Sequence, residues 1–497
     1  MHVAMLNPQG NFDPQDSYWT QHPDFGGQLV YVKEISLAMA ARGHTVDILT
    51  RCIVDPDWPE FSAPIECYAH GDGVRIVRVA CGPPTFLPKE QLWPHLGGVW
   101  VQGILDFYRA EDRLPDVFCA HYADGGVCGA ILEEQTGVAF TFTGHSLGAQ
   151  KLDKLEATRD NLAELDARFV FRRRLCAERV AMNHAARIVV STGQEQREQY
   201  AHRAYRAVVD ARDDRRFAVV PPGVNRDVFS DEPGALDAAI QARIEQALAR
   251  DLPPERRGLP QVLCSSRLDP KKNHIALVKA FVASRELRAR ANLAIVVRGL
   301  EVPLRERPQL GGSEQTLLDE IVETVEAHAL WPAVTTFALN SQAELAAAYR
   351  CLARRHSVFA LSALYEPFGL APLEAMSCGL PAVVTRNGGP SESLYDEATD
   401  EAFGVLIDPT DPVDIARGLL EVVASDGAWQ RYRQAGLERV TSRYTWDRAA
   451  QGYLDVFVAA SRQKSLPTRV PIPPYFTHPS PGNDLSLENL AALYFGS

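Results

Sequence analysis

Short apolar runs alternate with amphipathic stretches along almost the whole chain, and that alternation is the pattern of βαβ units closing parallel sheets. In the first half it predicts strands at His2–Leu6, Thr45–Thr50, Val74–Val79, Asp116–His121, Val138–Thr143, Arg187–Ser191 and Arg216–Val220. Helical periodicity separates most of them, for example from Gln28 to Ala41 and from Arg168 to Ala185. Pro221-Pro222-Gly223 then punctuates the chain and predicts an interdomain hinge. A second strand series follows at Val262–Ser266, Leu293–Arg298, Val334–Leu339, Ser357–Ser362, Ala382–Thr385 and Gly404–Asp408. From Trp446 the pattern turns helical, and it passes through the proline-rich stretch Pro467–Pro481 to a short helix-like tail.

The expected architecture is therefore α/β, with two Rossmann-like, doubly wound domains over 1–223 and 224–445. A helical tail over 446–497, having little core of its own, is expected to pack back on the first domain. Ligands of open α/β sheets gather outside the carboxyl ends of the strands. Two such sheets facing one another would place the active site in an interdomain cleft, so the residues just after strands are the ones to read for chemistry.

Composition narrows the class. Of 497 residues, 46% are hydrophobic and 23% charged, the balance of a soluble globular protein. A net charge of −12 argues against a surface that tracks nucleic-acid phosphates, but it leaves room for a local Lys and Arg cluster around a small anion. The nine cysteines are scattered from Cys52 to Cys378 without a Cys-x-x-Cys pair, which predicts buried thiols in a reducing compartment. The chain opens directly on a strand pattern and holds no apolar run near the roughly 20 residues of a membrane span, so the expected location is the cytoplasm, with no membrane and no nucleic-acid partner.

Glycines and polar residues follow several strands. Asn7-Pro-Gln-Gly10 comes after the first, and Asp24-Phe-Gly-Gly-Gln28 opens the first long helix; Gly26-Gly27 suits either a diphosphate seat or a tight turn. The chain holds no Gly-x-Gly-x-x-Gly fingerprint and no Walker lysine motif, which counts against a dinucleotide oxidoreductase and a P-loop nucleotidase. Gly144-His-Ser-Leu-Gly148 matches the spacing of a hydrolase nucleophile elbow, but the polar Ala149-Gln-Lys-Leu-Asp-Lys154 after it disfavours a helix packed on the sheet. A histidine in that position can instead hydrogen-bond a sugar. Ser266-Arg267-Leu-Asp-Pro-Lys-Lys-Asn273 sets Arg267 and Lys272 across a turn, where two cations can neutralise a departing diphosphate. Asp55-Pro-Asp57 has the Asp-x-Asp string of metal-dependent transferases, but its setting of Arg51 and Trp58-Pro59 reads as an ordinary loop.

The most specific segment is Glu366-Pro-Phe-Gly-Leu-Ala-Pro-Leu-Glu374, continuing to Gly379-Leu-Pro381 and Arg386-Asn-Gly-Gly-Pro390. Its prolines and glycine place Glu366 on a loop and Pro372 in the first turn of a helix, leaving Glu374 near that helix's N-terminus. There its two carboxylate oxygens can accept both ribose hydroxyls.

The segment resembles the paired-glutamate motif of retaining glycosyltransferases of the GT-B fold. Asn7-Pro-Gln-Gly-Asn-Phe-Asp-Pro14, His22-Pro-Asp-Phe-Gly-Gly-Gln-Leu-Val-Tyr-Val-Lys-Glu34, Phe142-Thr-Gly-His-Ser-Leu-Gly-Ala-Gln-Lys151 and the closing Ile472-Pro-Pro-Tyr-Phe-Thr477 extend the resemblance, over nearly the whole chain, to bacterial sucrose-phosphate synthases. The resemblance implies a nucleotide-sugar-binding second domain in which Gly27 of the first domain, Arg267 and Lys272 hold the donor diphosphate. It further implies that Glu374 binds the ribose, that Leu339 and Asn340 flank the base, and that Glu366 with the backbone of Phe368, Gly369 and Leu370 fixes the glucosyl ring or the diphosphate. His145 would touch the transferred glucose, which makes His145, Arg267, Lys272 and Glu366 the expected catalytic residues. The first domain would bind the acceptor, with Lys89, Lys151 and Arg174 around a 6-phosphate and Gln28, Tyr122 and Asp124 on fructose hydroxyls. The run Arg172-Arg173-Arg174 leaves open which arginine faces inward.

The activity so implied is transfer of glucose with retention from UDP-, ADP- or GDP-glucose to fructose 6-phosphate, giving sucrose 6-phosphate, with neither cofactor nor metal and with domain closure excluding water. A separate phosphatase would be the partner, since no phosphatase-like domain is expected in this chain. The rivals are a sucrose synthase acting on unphosphorylated fructose, another retaining GT-B transferase with a sugar-phosphate acceptor, an epimerase or phosphorylase on a similar frame, and a sugar-phosphate sensor without catalysis.

Overall fold

The computed structural model describes residues 1–9, 11–18, 27–69, 71–297, 300, 302–463 and 469–496. They divide into two compact units, Met1–Pro222 together with Trp446–Ser497, and Gly223–Thr445.

The first unit is built on eight strands: β1 His2–Leu6, β2 Thr45–Arg51, β3 Ile65–Cys67, β4 Val74–Val79, β5 Val117–His121, β6 Phe140–Thr143, β7 Arg187–Val190 and β8 Phe217–Val219. They lie in the order β3-β4-β2-β1-β5-β6-β7-β8, all parallel except β3, which runs antiparallel on β4. Helices cover both faces, so the central strands are apolar throughout, as parallel strands require. Successive residues of β1 enter opposite cores: Val3 and Met5 pack with Tyr31, Ile35, Tyr453 and Phe457, whereas Ala4 and Leu6 pack with Trp100, Phe142, Leu175 and Phe476. The helix Trp446–Arg462 thus closes one face, and Tyr475, Phe476, Leu490 and Tyr494 are built into the other.

The second unit carries β9 Gln261–Ser265, β10 Asn292–Val296, β11 Val334–Thr335, β12 Val358–Leu361, β13 Ala382–Thr385, a small hairpin of β14 Tyr395–Asp396 and β15 Glu401–Ala402, and β16 Val405–Ile407. Its sheet is parallel, in the order β11-β10-β9-β12-β13-β16, around a single large core. In both sheets the strand order reverses beside the unit's first strand, at β1/β5 and at β9/β12. That reversal opens a crevice at the carboxyl ends.

Several expected elements are corrected. The helix expected over Arg168–Ala185 is two, Leu162–Phe169 and Phe171–His184, broken at Val170, whose φ of 53° is left-handed. The strand expected over Val334–Leu339 stops at Thr335, because Asp251 replaces a neighbouring strand: its carboxylate accepts from Thr335 Oγ1 at 2.8 Å and from the Thr336 amide at 3.3 Å. The strand expected over Leu293–Arg298 ends at Val296, and Arg298 lies outside the described residues. The edge strand β3 went unrecognised because it is short and lacks a buried face. Of the nine cysteines six are buried, but Cys67, on that edge, is exposed. Among the described residues no helix is long and apolar enough to cross a membrane.

Candidate active site

In the second unit the crevice lies between the segments that follow β9 and β12. Asp269 caps the short turn Pro270–Lys272 by accepting from the Lys271 amide, and the turn delivers the Lys272 ammonium to 2.7 Å from Glu366 Oε2. Backbone ties hold the two segments in register: the Leu364 amide donates to Lys271 O at 2.9 Å, and Ser362 Oγ donates to Asn273 O at 2.8 Å. Arg267 lies exposed on the same connection.

Glu366 sits on a loop as expected, paired in a parallel bridge with Gly388. The glycines beside it are required by space. Gly388 has φ of 102°, and a Cβ there would drive into the Glu366 carbonyl; one on Gly389 would meet the Phe368 backbone. Gly369, at φ of 91°, turns the chain into the helix Leu370–Ser377, with Pro372 in its first turn. Glu374 lies on that helix, and burial pushes its carboxyl up to about 7. Phe368 packs edge-on against Tyr444. Leu339 is buried, and the Asn340 amide donates to Glu344 at 2.8 Å, anchoring the loop after β11.

In the first unit a cavity of about 290 Å³ opens at the β1/β5 crevice. It is lined by Gly27, Gln28, Lys89, Tyr122, Asp124, Lys151 and Arg174, and also by Gln9, Glu90, Trp93, Ala123, Ser146 and Phe169. Two helices begin at it, Gly27–Ala41 and Tyr122–Thr136, and their N-termini favour negative charge; a third, Gly148–Lys154, carries Lys151 into it.

The polar groups of the cavity are held from behind. Gln28 Nε2 donates to Asn7 Oδ1 at 2.8 Å, and Gln9 Nε2 donates to Asp124 Oδ1 at 3.2 Å. Burial pushes Asp124 up to about 7. Arg174 donates through Nε to Glu178 at 3.0 Å and through a terminal nitrogen to the Ser146 carbonyl at 2.5 Å. Glu178 in turn accepts from the Gly148 amide at 2.8 Å, so one carboxylate fixes both the arginine and a helix N-terminus. The Lys151 ammonium lies 3.7 Å from the centroid of Phe169. Burial, with Arg174 and Lys89 nearby, lowers Lys151 to about 8. Of the arginine run, Arg174 faces the cavity, whereas Arg172 pairs with Asp166 and Arg173 with Asp484.

His145 stands at the turn after β6 with φ of 55°. Its Nε2 lies 2.9 Å from His121 Nδ1, and the Tyr31 and Tyr122 rings flank it. Burial lowers it to about 4, which keeps the imidazole neutral near pH 7. A helix does follow the Gly144–Gly148 string, contrary to the sequence expectation, with Ala149 and Leu152 buried. Ser146 Oγ nevertheless contacts Arg174 at 3.4 Å, which is no hydrolase pairing.

Asp55 caps its own loop, accepting from the amides of Asp57 at 3.1 Å and Phe86 at 3.0 Å. Among the described residues no cluster of three or more His, Cys, Asp and Glu side chains could hold a metal ion. Asp24–Gly26 and Gly10 lie outside the described residues. Sequence reasoning missed Gln9, Trp93, Ser146, Glu178 and His121. Gln9 and Ser146 follow strands and could have been found by that position, but Trp93 reads as core, Glu178 as helix surface and His121 as strand.

Comparison with known proteins identifies the family and the fold. The family model for group 1 glycosyl transferases matches residues 247–439, and that for the glycosyl transferase 4-like domain matches 26–223. A probable sucrose-phosphate synthase of Thermosipho melanesiensis is 39% identical, across 92% of this chain and 96% of its own length. The sucrose-phosphate synthase of Zea mays is 31% identical over 91% of this chain, which spans only 47% of that longer protein. Among solved structures, the sucrose-phosphate synthase of Thermosynechococcus elongatus superposes with a TM-score of 0.62 at 25% identity, covering 92% of this chain and 100% of that one. The Anabaena protein HepE, solved with UDP and glucose, shares the fold with a TM-score of 0.53 at 16% identity. The chain belongs to the sucrose-phosphate synthase family of GT-B glycosyltransferases.

Proposed function

We propose that this transferase moves glucose from a nucleotide sugar, UDP-glucose in the first instance, to the 2-hydroxyl of fructose 6-phosphate, with retention. The observation that carries the acceptor assignment is the convergence of Lys89, Lys151 and Arg174 on one cavity with Gln28, Tyr122 and Asp124. Three cations suit a phosphate dianion, and amide, phenol and carboxyl groups suit the hydroxyls of the sugar that bears it. The names of the relatives and the HepE complex with UDP and glucose support the choice of substrates.

On the donor side, Glu374 accepts the ribose hydroxyls while Leu339 and Asn340 flank the base. Arg267 and Lys272 neutralise the diphosphate. Lysine carries three donor hydrogens, so Lys272 can serve a phosphate and keep Glu366. Glu366 and the backbone of Phe368, Gly369 and Leu370 then orient the glucosyl group.

In the reaction the bond from glucose C1 to the diphosphate oxygen breaks through an oxocarbenium-like state. The acceptor oxygen bonds C1 on the same face, and the departing phosphate oxygen takes the acceptor's proton. His145 is neutral and acts as a hydrogen-bonding partner of the glucose. Orienting two reactants in this way contributes roughly 7–11 kcal/mol, alongside charge neutralisation of the leaving group.

Lys151→Ala tests the acceptor assignment. The KM for fructose 6-phosphate should rise tenfold or more, on the order of one lost charged hydrogen bond, while the slower turnover of fructose stays constant. Equal losses on both acceptors would point to a phosphate-independent role and to the sucrose synthase alternative.

A further inference from the structure

Lys89, Lys151 and Arg174 come from three separate segments, and like charges gathered in one cavity repel one another. Something has to hold the segments together. Each of them is tied from behind to the same stretch of chain, residues 474–494.

The first tie is apolar. The Phe476 ring lies 6.1 Å from that of Trp93, which lines the cavity with Lys89, and a Cβ on Gly97 would run into the Phe476 carbonyl. The second is a hydrogen bond: Tyr494 Oη donates at 2.6 Å to Asp153, on the helix that carries Lys151. The third reaches the arginine run. Arg173 grips Asp484 with two hydrogen bonds, at 3.0 and 2.8 Å, and its guanidinium lies 4.4 Å from the centroid of Tyr475. Those bonds anchor the first turn of the helix Phe171–His184, which carries Arg174. They also keep the charge of Arg173 occupied outside the cavity.

We propose that residues 474–494 form a positioning brace for the acceptor phosphate, so that Asp484 and Tyr494, though outside the cavity, set the affinity for phosphorylated acceptors. This rests on the acceptor assignment made above. Mutual repulsion of the three cations on one cavity is the stress that the brace opposes; burial first, and then Arg174 and Lys89, lower the proton affinity of Lys151.

The test is kinetic. Asp484→Asn removes the negative charge and one of the two acceptors of Arg173, Tyr494→Phe removes the hydroxyl that donates to Asp153, and both leave the apolar packing of the segment in place. The combined variant should raise both the KM for fructose 6-phosphate and the inhibition constant of inorganic phosphate by roughly fivefold or more, the scale of one or two lost hydrogen bonds. Its kcat and its turnover of unphosphorylated fructose should not change, and Asp484→Glu should restore phosphate affinity in the single variant. Phosphate inhibition equal to that of the parent would overturn the proposal, as would equal losses on both acceptors. Lys151→Ala, measured in parallel, separates the two readings. If it weakens phosphate inhibition and the brace variants do not, the brace alone fails; if it too has no effect, the acceptor assignment falls with it.

Discussion

At the residue scale, burial has tuned two groups in directions that can be measured. Glu374 holds its proton to about pH 7 in the folded chain, against a usual value of 4.5, because burial strips water from the carboxylate. Between those values the folded state binds more protons than the unfolded one, so stability falls as pH rises through that window. Glu374→Gln should therefore raise Tm at pH 8 and leave it nearly unchanged at pH 4.5, at the cost of donor affinity; thermal melts at the two pH values check this. An equal shift at both would deny that the carboxylate is strained. Lys151 moves the other way, to about 8, so the ammonium to which the proposal assigns the acceptor phosphate is lost above that pH. The KM for fructose 6-phosphate should rise between pH 7 and 9.5, a range in which the sugar phosphate itself is already dianionic. Lys151→Arg, which stays charged, should flatten that profile.

The acceptor-side positions were legible through the resemblance to sucrose-phosphate synthases, and their placement gives the physical reason. Gln28, Tyr122, Asp124 and Lys151 open helices at the carboxyl edge of the first sheet, where polar residues have few structural reasons to be. The arginine run was not legible to one position. Which of Arg172, Arg173 and Arg174 turns inward depends on Asp166 and Asp484, and the second of these lies more than 300 residues away along the chain.

At the scale of elements, the donor loop depends on backbone approach more than on side chains. Gly388 passes Glu366 so closely that no side chain fits, and its φ of 102° is costly for any other residue. Gly388→Ala should push the Glu366 loop away from Lys272 and raise the donor KM on the order of tenfold, the effect of about 1–3 kcal/mol of local strain. Phosphate inhibition through the other unit should be unaffected, and a loss of both would indicate global unfolding. Glycine spacing made this loop readable in the sequence. The break at Val170 was not, because a β-branched residue gives no local sign of adopting a left-handed conformation. The strand expected beyond Thr335 failed for a related reason. Phe337, Ala338 and Leu339 are apolar and buried, but Asp251 and Arg250 bind the backbone of Thr336 that a strand would have paired.

At the scale of the whole molecule, two α/β units each place charged residues at the reversal point of its own sheet, and the proposed function assigns one group to the nucleotide diphosphate and the other to the sugar phosphate. The alternation of apolar runs and amphipathic helices was enough to read every strand of the two large sheets except the exposed antiparallel edge β3, since parallel strands buried on two faces leave the plainest signal. The chemistry of the transfer joins the two ligands, and purified protein tested against a matrix of nucleotide glucoses and of fructose with and without its 6-phosphate measures that directly. The account predicts sucrose 6-phosphate, formed only when a nucleotide glucose and fructose 6-phosphate are both present, with fructose a far poorer acceptor. Equal turnover of fructose and fructose 6-phosphate, or nucleotide released at full rate with no acceptor, would contradict it.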